Sequence, residues 1–228
     1  MINLKLDLHI HSFLSPDSYI TPSNLFFQLK KKGMDGFSIT DHNIFKKANF
    51  FHKKAKSNNL IYIPGIEIKS NFGDVILLFL KEMVDLRDNN FYRISEEARE
   101  QNALVILAHP FDFLRRTSFD TSKISKTDIE KYVDGIEVMN SRIILKWSVQ
   151  KARKFGKQHK LVLTGGSDSH TPEEIGHGFT YIPACKERSL EGVYDSLEYK
   201  SSLPAGKLSD PLVHLSTMLF KIKKKLNS

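Results

Sequence analysis

The chain has 228 residues and a formal net charge of +8, with 40% hydrophobic and 26% charged residues. That length suits one domain, 1–228, with a substantial core, and the composition excludes collagen-like, low-complexity and wholly disordered chains. No apolar run approaches the roughly 18 residues of a spanning helix, no secretory leader is visible and Cys185 is the single cysteine, so a cytoplasmic location without a disulfide framework is expected.

Leu4, Leu6, Leu8 and Ile10 alternate with Lys5, Asp7, His9 and His11, the period of a strand. Thr21-Pro22 offers a cap and a first-turn proline for a helix that stops at Gly33. Further strands are expected over 36–40, 60–68, 74–80, 104–108, 135–139 and 161–164. Helices are expected over 45–57, 95–102, 127–132, 143–158 and 189–199. The core spans about 4–185, with 186–228 a helical extension. In that extension Leu212, Leu215, Leu219, Ile222 and Leu226 step by three and four beside Lys221, Lys223, Lys224 and Lys225. This basic amphipathic helix is expected to pack on the barrel; a dimer contact, nucleic acid or a membrane surface are the alternatives. Repeated strand–helix units imply a parallel sheet with helices outside, either a barrel or a doubly wound sheet.

The polar residues choose between them. His9 and His11 end the first expected strand, Asp41 and His42 follow the second, and Glu67 ends the third. His109, Asn140, Asp168 and His170 follow later ones. In a barrel those ends converge on one rim, whereas an open sheet gathers its ligands at one crevice. A barrel is therefore expected. Two residues apart on a strand, His9 and His11 leave on one face and can grip one cation. With Asp17, His42, Glu67, His109, Asp168 and His170 they give five imidazoles and three carboxylates. One four-coordinate ion needs fewer, so two or three divalent ions are implied. Glu67 or Asp168 can bridge two of them, about 3.5–4 Å apart. Asp7 and Asp41 are read as carboxylates that orient ligand histidines. A cysteine-free donor set suits zinc, manganese or iron and does not choose among them.

Asp7-Leu8-His9-Ile10-His11-Ser12, Thr40-Asp41-His42, Pro64-Gly65-Ile66-Glu67, Ala108-His109-Pro110 and Ser167-Asp168-Ser169-His170 resemble, in order, the motifs of the PHP family, named from polymerase and histidinol phosphatase. The resemblance implies an α/β fold, a distorted TIM-like barrel of about seven parallel strands with its metal site at the C-terminal rim, and phosphoester hydrolysis. By motif, His9, His11, Glu67 and Asp168 match ligands of a first metal, Glu67 and His109 of a second, and Asp17, His42 and His170 of a third. The Ser15-Pro16-Asp17 stretch is most similar to the stand-alone phosphoesterase branch. Asp74 stands where related proteins often carry a histidine, which implies an altered contact to the second metal; Asn140 stands where some trinuclear members place a ligand histidine, which favours two ions over three.

The expected chemistry is attack of metal-activated hydroxide on a small phosphorylated substrate, a nucleotide or sugar-like mono- or diester. His9, Asp168 and His170 are expected at the reacting centre, and His177 as a proton donor to the leaving group. Arg142 is the first candidate for the phosphate clamp, with Asn140 beside it and Arg115 and Arg116 as further candidates. His52, His159 and His214 fall on expected helices and are read as surface or packing residues. The lone Trp147 is read as a helix anchor rather than a base-stacking platform, and Cys185 as inert. Two other functions remain open: an exonuclease on short oligonucleotides, which needs a basic groove, and a non-catalytic metal-stabilised interaction module.

Overall fold

The computed structural model describes residues 1–210 together with Leu212, Val213 and Thr217. The expected C-terminal amphipathic helix and His214 therefore lie largely outside the described residues. Among these, the chain forms β1 (Ile2–Ile10), α1 (Pro22–Lys31), β2 (Gly36–Ile39), α2 (Ala48–Ser57), β3 (Ile61–Ser70) and β4 (Gly73–Leu78). It continues through α3 (Phe91–Glu100), β5 (Leu104–Leu107), α4 (Lys126–Tyr132), β6 (Gly135–Asn140) and α5 (Lys146–Gln158). β7 (Val162–Gly166), β8 (Gly178–Cys185), α6 (Leu190–Glu198) and β9 (Leu203–Gly206) complete it.

Local chemistry sets the helix starts. Thr21, Asn90, Ser125 and Ser189 each place a side-chain oxygen on a backbone N–H of the first turn, satisfying donors that a helix leaves unpaired. Pro22 opens α1, where its missing N–H costs nothing.

The strands form one sheet in the order β7-β6-β5-β4-β3-β2-β1-β8-β9. It closes where the chain beyond β7 meets β1: Asp168 N–H donates to the His9 carbonyl at 2.7 Å and His11 N–H to the Ser169 carbonyl at 3.0 Å. The architecture is a TIM-like barrel, but not one of about seven parallel strands. β4 runs antiparallel to β3 and β5, and β8 is antiparallel to β1 and β9. The physical reason for the first reversal is the hairpin joining β3 to β4, too short for a parallel crossover. β8 and β9 each contain a proline, Pro183 and Pro204, which disguises a strand in sequence and is tolerated near sheet edges and bulges.

The barrel interior holds Leu4, Leu6 and Leu8 against Ile63, Ile76 and Ile106, and Val193 and Leu197 of α6 close its lower end. Ile10, expected on the same face as those leucines, instead packs with Leu25, Leu29 and Phe51 under α1 and α2. The pairing of β1 with β2 slips between Asp7 and Ile10. Such an irregularity re-aims side chains, and here it lets apolar residues fill the lower barrel while His9 and His11 face the upper rim.

Gly166 at the end of β7 is required by that closure. A Cβ there would lie 2.3 Å from His9 Cβ and 2.8 Å from His9 N. Gly166→Ala is expected to cost about 1–3 kcal/mol of overpacking, lowering Tm by roughly 5 °C, and to weaken metal binding because His9 must move. An unchanged Tm in calorimetry would contradict this close approach.

Candidate metal centre

At the upper rim β1 delivers His9 and His11, both fully buried. His9 Nδ1 lies 2.9 Å from Glu137 Oε1, so that nitrogen carries the proton and Nε2 carries the lone pair. Ser15 does the same for His11. Its hydroxyl donates to Asp41 Oδ1 at 2.7 Å, and His11 Nδ1 donates to it at 3.2 Å. The two Nε2 atoms then face each other 3.1 Å apart. Two lone pairs at that separation repel unless a proton or a cation lies between them.

The carboxylates repeat the pattern. Glu67 Oε1 sits 2.9 Å from His109 Nε2 and 3.5 Å from His9 Nε2, while Oε2 sits 2.8 Å from His42 Nδ1 and 3.3 Å from His11 Nε2. Asp168 Oδ1 approaches His11 Nε2 at 3.2 Å and His9 Nε2 at 3.5 Å. Glu67 Oε2 and Asp168 Oδ1 are buried without a hydrogen-bond donor of proper geometry, a costly state for ionised oxygens in a dry site. Divalent cations between these atoms resolve both problems, so the residues present fit the group.

Three overlapping sets bring ligand atoms within 4.8 Å of one another: His9, His11 and Glu67; Glu67, Asp74 and His109; His11, His42 and His170. Asp17 approaches His170 Nε2 at 3.5 Å and His42 Nε2 at 3.7 Å. All eight residues singled out as metal ligands thus converge. Asp74 joins them because β4 is antiparallel: its first residues, rather than its last, reach the rim, and Asp74 Oδ2 lies 3.8 Å from His109 Nε2. In the sequence Asp74 stands out only as a departure from the expected pattern.

The backbone is strained at two of the candidate ligands. His109 and Asp168 hold φ at +30° and +53°, a left-handed region that residues other than glycine adopt at a cost and that clusters at functional sites. His109 N–H donates to Glu137 Oε2 at 2.9 Å, which fixes the first of these turns. Glu137 also accepts from Asn140 Nδ2 at 2.9 Å. It therefore orients His9, His109 and Asn140 together, a role the sequence reading missed. The available signal was an acid at an alternating position of the otherwise apolar strand Gly-Ile-Glu-Val-Met. Glu137→Gln is expected to weaken metal affinity about 10–100-fold, measurable by competition with a chromogenic chelator.

Asp7 and Asp41 are buried but hold backbone rather than rings. Asp7 accepts from Ser167 N–H and Gly176 N–H at 2.9 and 2.7 Å. Asp41 accepts from Ser12 N–H and the Ser12 and Ser15 hydroxyls, and it reaches His11 only through Ser15.

Charge is balanced within the cluster. Burial pushes the Glu67 carboxyl up, but His9, His42, His109 and His11 hold it well below the usual carboxylate range. Asp168 is likewise held low, against its burial, by Arg115 and His9. Burial pushes the His11 imidazole down, yet Asp168 and Glu67 lift it to about 9. His170 is driven well below its ordinary value by burial, His11 and Arg142.

The centre opens into a cleft of about 600 Å³ whose lining includes Asp17, His42, Asp74, Arg115, Arg142 and His170. Arg115 Nη1 lies 2.7 Å from Asp168 Oδ2, in direct contact with one of the candidate ligands. Arg142 lines the same cleft. Its Nη2 donates to Thr217 Oγ1 at 2.7 Å and its Nε faces Glu174 Oε1 at 3.4 Å. Asn140 is fully buried and spends its amide on Glu137 and Asp168, with its carbonyl oxygen on Arg142 N–H. Arg116 lines the neighbouring pocket. His177 does not line the cleft. Its Nδ1 is 3.2 Å from Ser209 Oγ, and burial with Lys32 and Lys207 pushes it down to about 4. Of the remaining histidines, His52 is exposed and His159 is half-buried against Phe155.

Comparison with known proteins identifies the family. The model of the family described as PHP domain matches residues 7–175. The chain is 35% identical over 179 residues to the uncharacterized protein MJ0417 of Methanocaldococcus jannaschii, covering 77% of this chain and 69% of that protein. It is 32% identical over 148 residues to the uncharacterized protein MJ1587 of the same organism, covering 60% of this chain and 82% of that protein. Among solved structures it is similar to a two-domain protein from Bacteroides vulgatus described as containing a predicted PHP-like metal-dependent phosphoesterase. That likeness has a TM-score of 0.75 at 23% identity, covering 90% of this chain and 65% of the other, and it bears on the fold alone.

Proposed function

We propose, from the premise that the chain belongs to the PHP domain family, that it is a metal-dependent phosphoesterase acting on a small phosphorylated substrate at the rim of the barrel. The observation that carries this reading is the pair of facing imidazole nitrogens of His9 and His11 beside Glu67 Oε2 and Asp168 Oδ1, two buried oxygens that no hydrogen bond of proper geometry reaches. Two ions would lie among His9, His11, Glu67 and Asp168 and among Glu67, Asp74 and His109; His11, His42 and His170 with Asp17 offer a third place. Zinc, manganese or iron suits these donors. When bound, such ions supply Lewis-acid polarisation of a phosphoryl oxygen and lower the pKa of water.

The protein's own groups do the rest. Glu137 and Ser15 hold the imidazoles of His9 and His11 with their lone pairs inward. Arg115, already on Asp168 Oδ2, turns a guanidinium edge toward the cleft and offsets charge growing on the phosphoryl oxygens. Arg142 lines the same cleft, held by Thr217 and Glu174. The buried floor excludes bulk water and strengthens these interactions.

A metal-reconstituted assay against monoesters, diesters and a labelled oligonucleotide tests the reading. Turnover of small esters without shortening of the oligonucleotide is expected. Progressive shortening would make the protein an exonuclease, and silence with zinc, manganese and iron would make it a non-catalytic metal-stabilised module.

A further inference from the structure

Four large apolar side chains are exposed at one place, the mouth of the metal cleft. Phe113 and Leu114 are 64% and 62% exposed on the segment after β5, and Ile144 and Trp147 are 43% and 44% exposed where the chain enters α5. Leu114 and Ile144 line the metal cleft itself. Phe113 and Trp147 come from the two different segments, yet their rings lie 4.9 Å apart at 31°. Single exposed apolar residues need no explanation, but a patch assembled from two segments beside a reactive centre marks a binding surface. Trp147, expected as a helix anchor, is half exposed and rests against Phe113.

The surroundings say what the patch would take. Lys151 Nζ lies 4.6 Å from the Phe111 ring and 5.3 Å from the Phe113 ring. Lys69, Arg115, Arg116, Lys123 and Lys151, against the acids Asp112 and Asp120, line a pocket of about 660 Å³ that shares Lys69, Asp112, Arg115 and Thr117 with the metal cleft. An apolar protein partner gains nothing from so many cations, whereas an aromatic ring carried by an anion matches both features. Phe113 is two residues from Arg115, so their backbones are no more than about 7 Å apart. A ring at Phe113 and a phosphoryl group at Arg115 can therefore belong to one small molecule.

The geometry points to a ring-binding subsite: Phe113 and Trp147 bind a flat aromatic group borne by the alcohol part of the phosphoester, which makes nucleoside or aryl phosphates the preferred substrates. This inference rests on the phosphoesterase reading for its phosphoryl position. Its test does not depend on turnover, because Trp147 is the chain's one tryptophan and its emission reports directly on the subsite.

AMP and ribose 5-phosphate are titrated separately into the metal-reconstituted protein, with emission excited selectively at tryptophan and recorded before turnover. AMP is expected to change the emission saturably, and ribose 5-phosphate to leave it unaltered. In Phe113→Ala the apparent affinity for AMP is expected to fall about fivefold or more. The ratio of kcat/KM for AMP to that for ribose 5-phosphate should fall in parallel. Equal responses to both phosphates, or no response to AMP at concentrations that compete with ribose 5-phosphate hydrolysis, overturn the subsite while leaving the phosphoesterase reading intact. AMP binding at Trp147 without hydrolysis of any ester supports the subsite and overturns that reading instead.

Discussion

Alanine at Asp168, or at His9, is expected to reduce hydrolysis of every phosphoester to background while leaving the barrel folded. Asp168 touches the centre on both oxygens: Oδ1 faces His9 and His11, and Oδ2 holds Arg115 at 2.7 Å. Its removal takes away a proposed metal ligand and frees the Arg115 guanidinium, the proposed phosphate contact. His9 is the imidazole shared by Glu67, Asp168 and Glu137, so its removal breaks the cluster at its centre. Neither change leaves a carboxylate in a tighter site than before, and truncation relieves crowding as well as creating a cavity. Circular dichroism and a thermal melt check folding, and the reconstituted assay checks turnover. Substantial residual hydrolysis by either variant would place the chemistry elsewhere.

Divalent metal is expected to raise Tm substantially, and chelation to reverse the rise. A ligand that binds only the folded chain stabilises it by about 2.7 kcal/mol at one hundred times its dissociation constant. For a chain of this length that is roughly 5–10 °C. The effect has a pH sign. Because His11 is lifted from its ordinary value of 6.5 to about 9, its protonated form stabilises the metal-free fold below about 6.5, and that contribution is lost as the pH rises through 9. Metal needs the unprotonated ring, so the increment in Tm on adding metal should grow across the same window and binding should release protons. A metal increment that shrinks from pH 6.5 to 9 would contradict this electrostatic picture of the site.

Much of this centre is legible in sequence because its ligands obey simple periods. His9 and His11 are two apart on a strand, and His42, His109, Asp168 and His170 follow the ends of parallel strands. What escapes does so for identifiable reasons. Asp74 sits at the start of a strand, and only the antiparallel direction of β4 brings that start to the rim. Glu137 lies within β6, where an inward-facing acid reads as ordinary strand polarity until its partners His9 and His109 are known. The order of the arginines depends on contacts between distant segments: Arg115 reaches Asp168 across the mouth, whereas Arg142, first in the sequence reading, is held by Glu174 and Thr217. The break in β1 is invisible in an unbroken alternation, yet it separates Leu8 from Ile10 and aims the histidines.

The most direct test of the account is the metal content of the purified chain, reconstituted with zinc or manganese, dialysed and measured by elemental analysis beside His9→Ala. Two or three tightly held ions per chain, falling in the variant, are the predicted result. A chain that retains one ion or none, with the variant indistinguishable from it, would contradict the clustered metal centre on which the proposed chemistry stands.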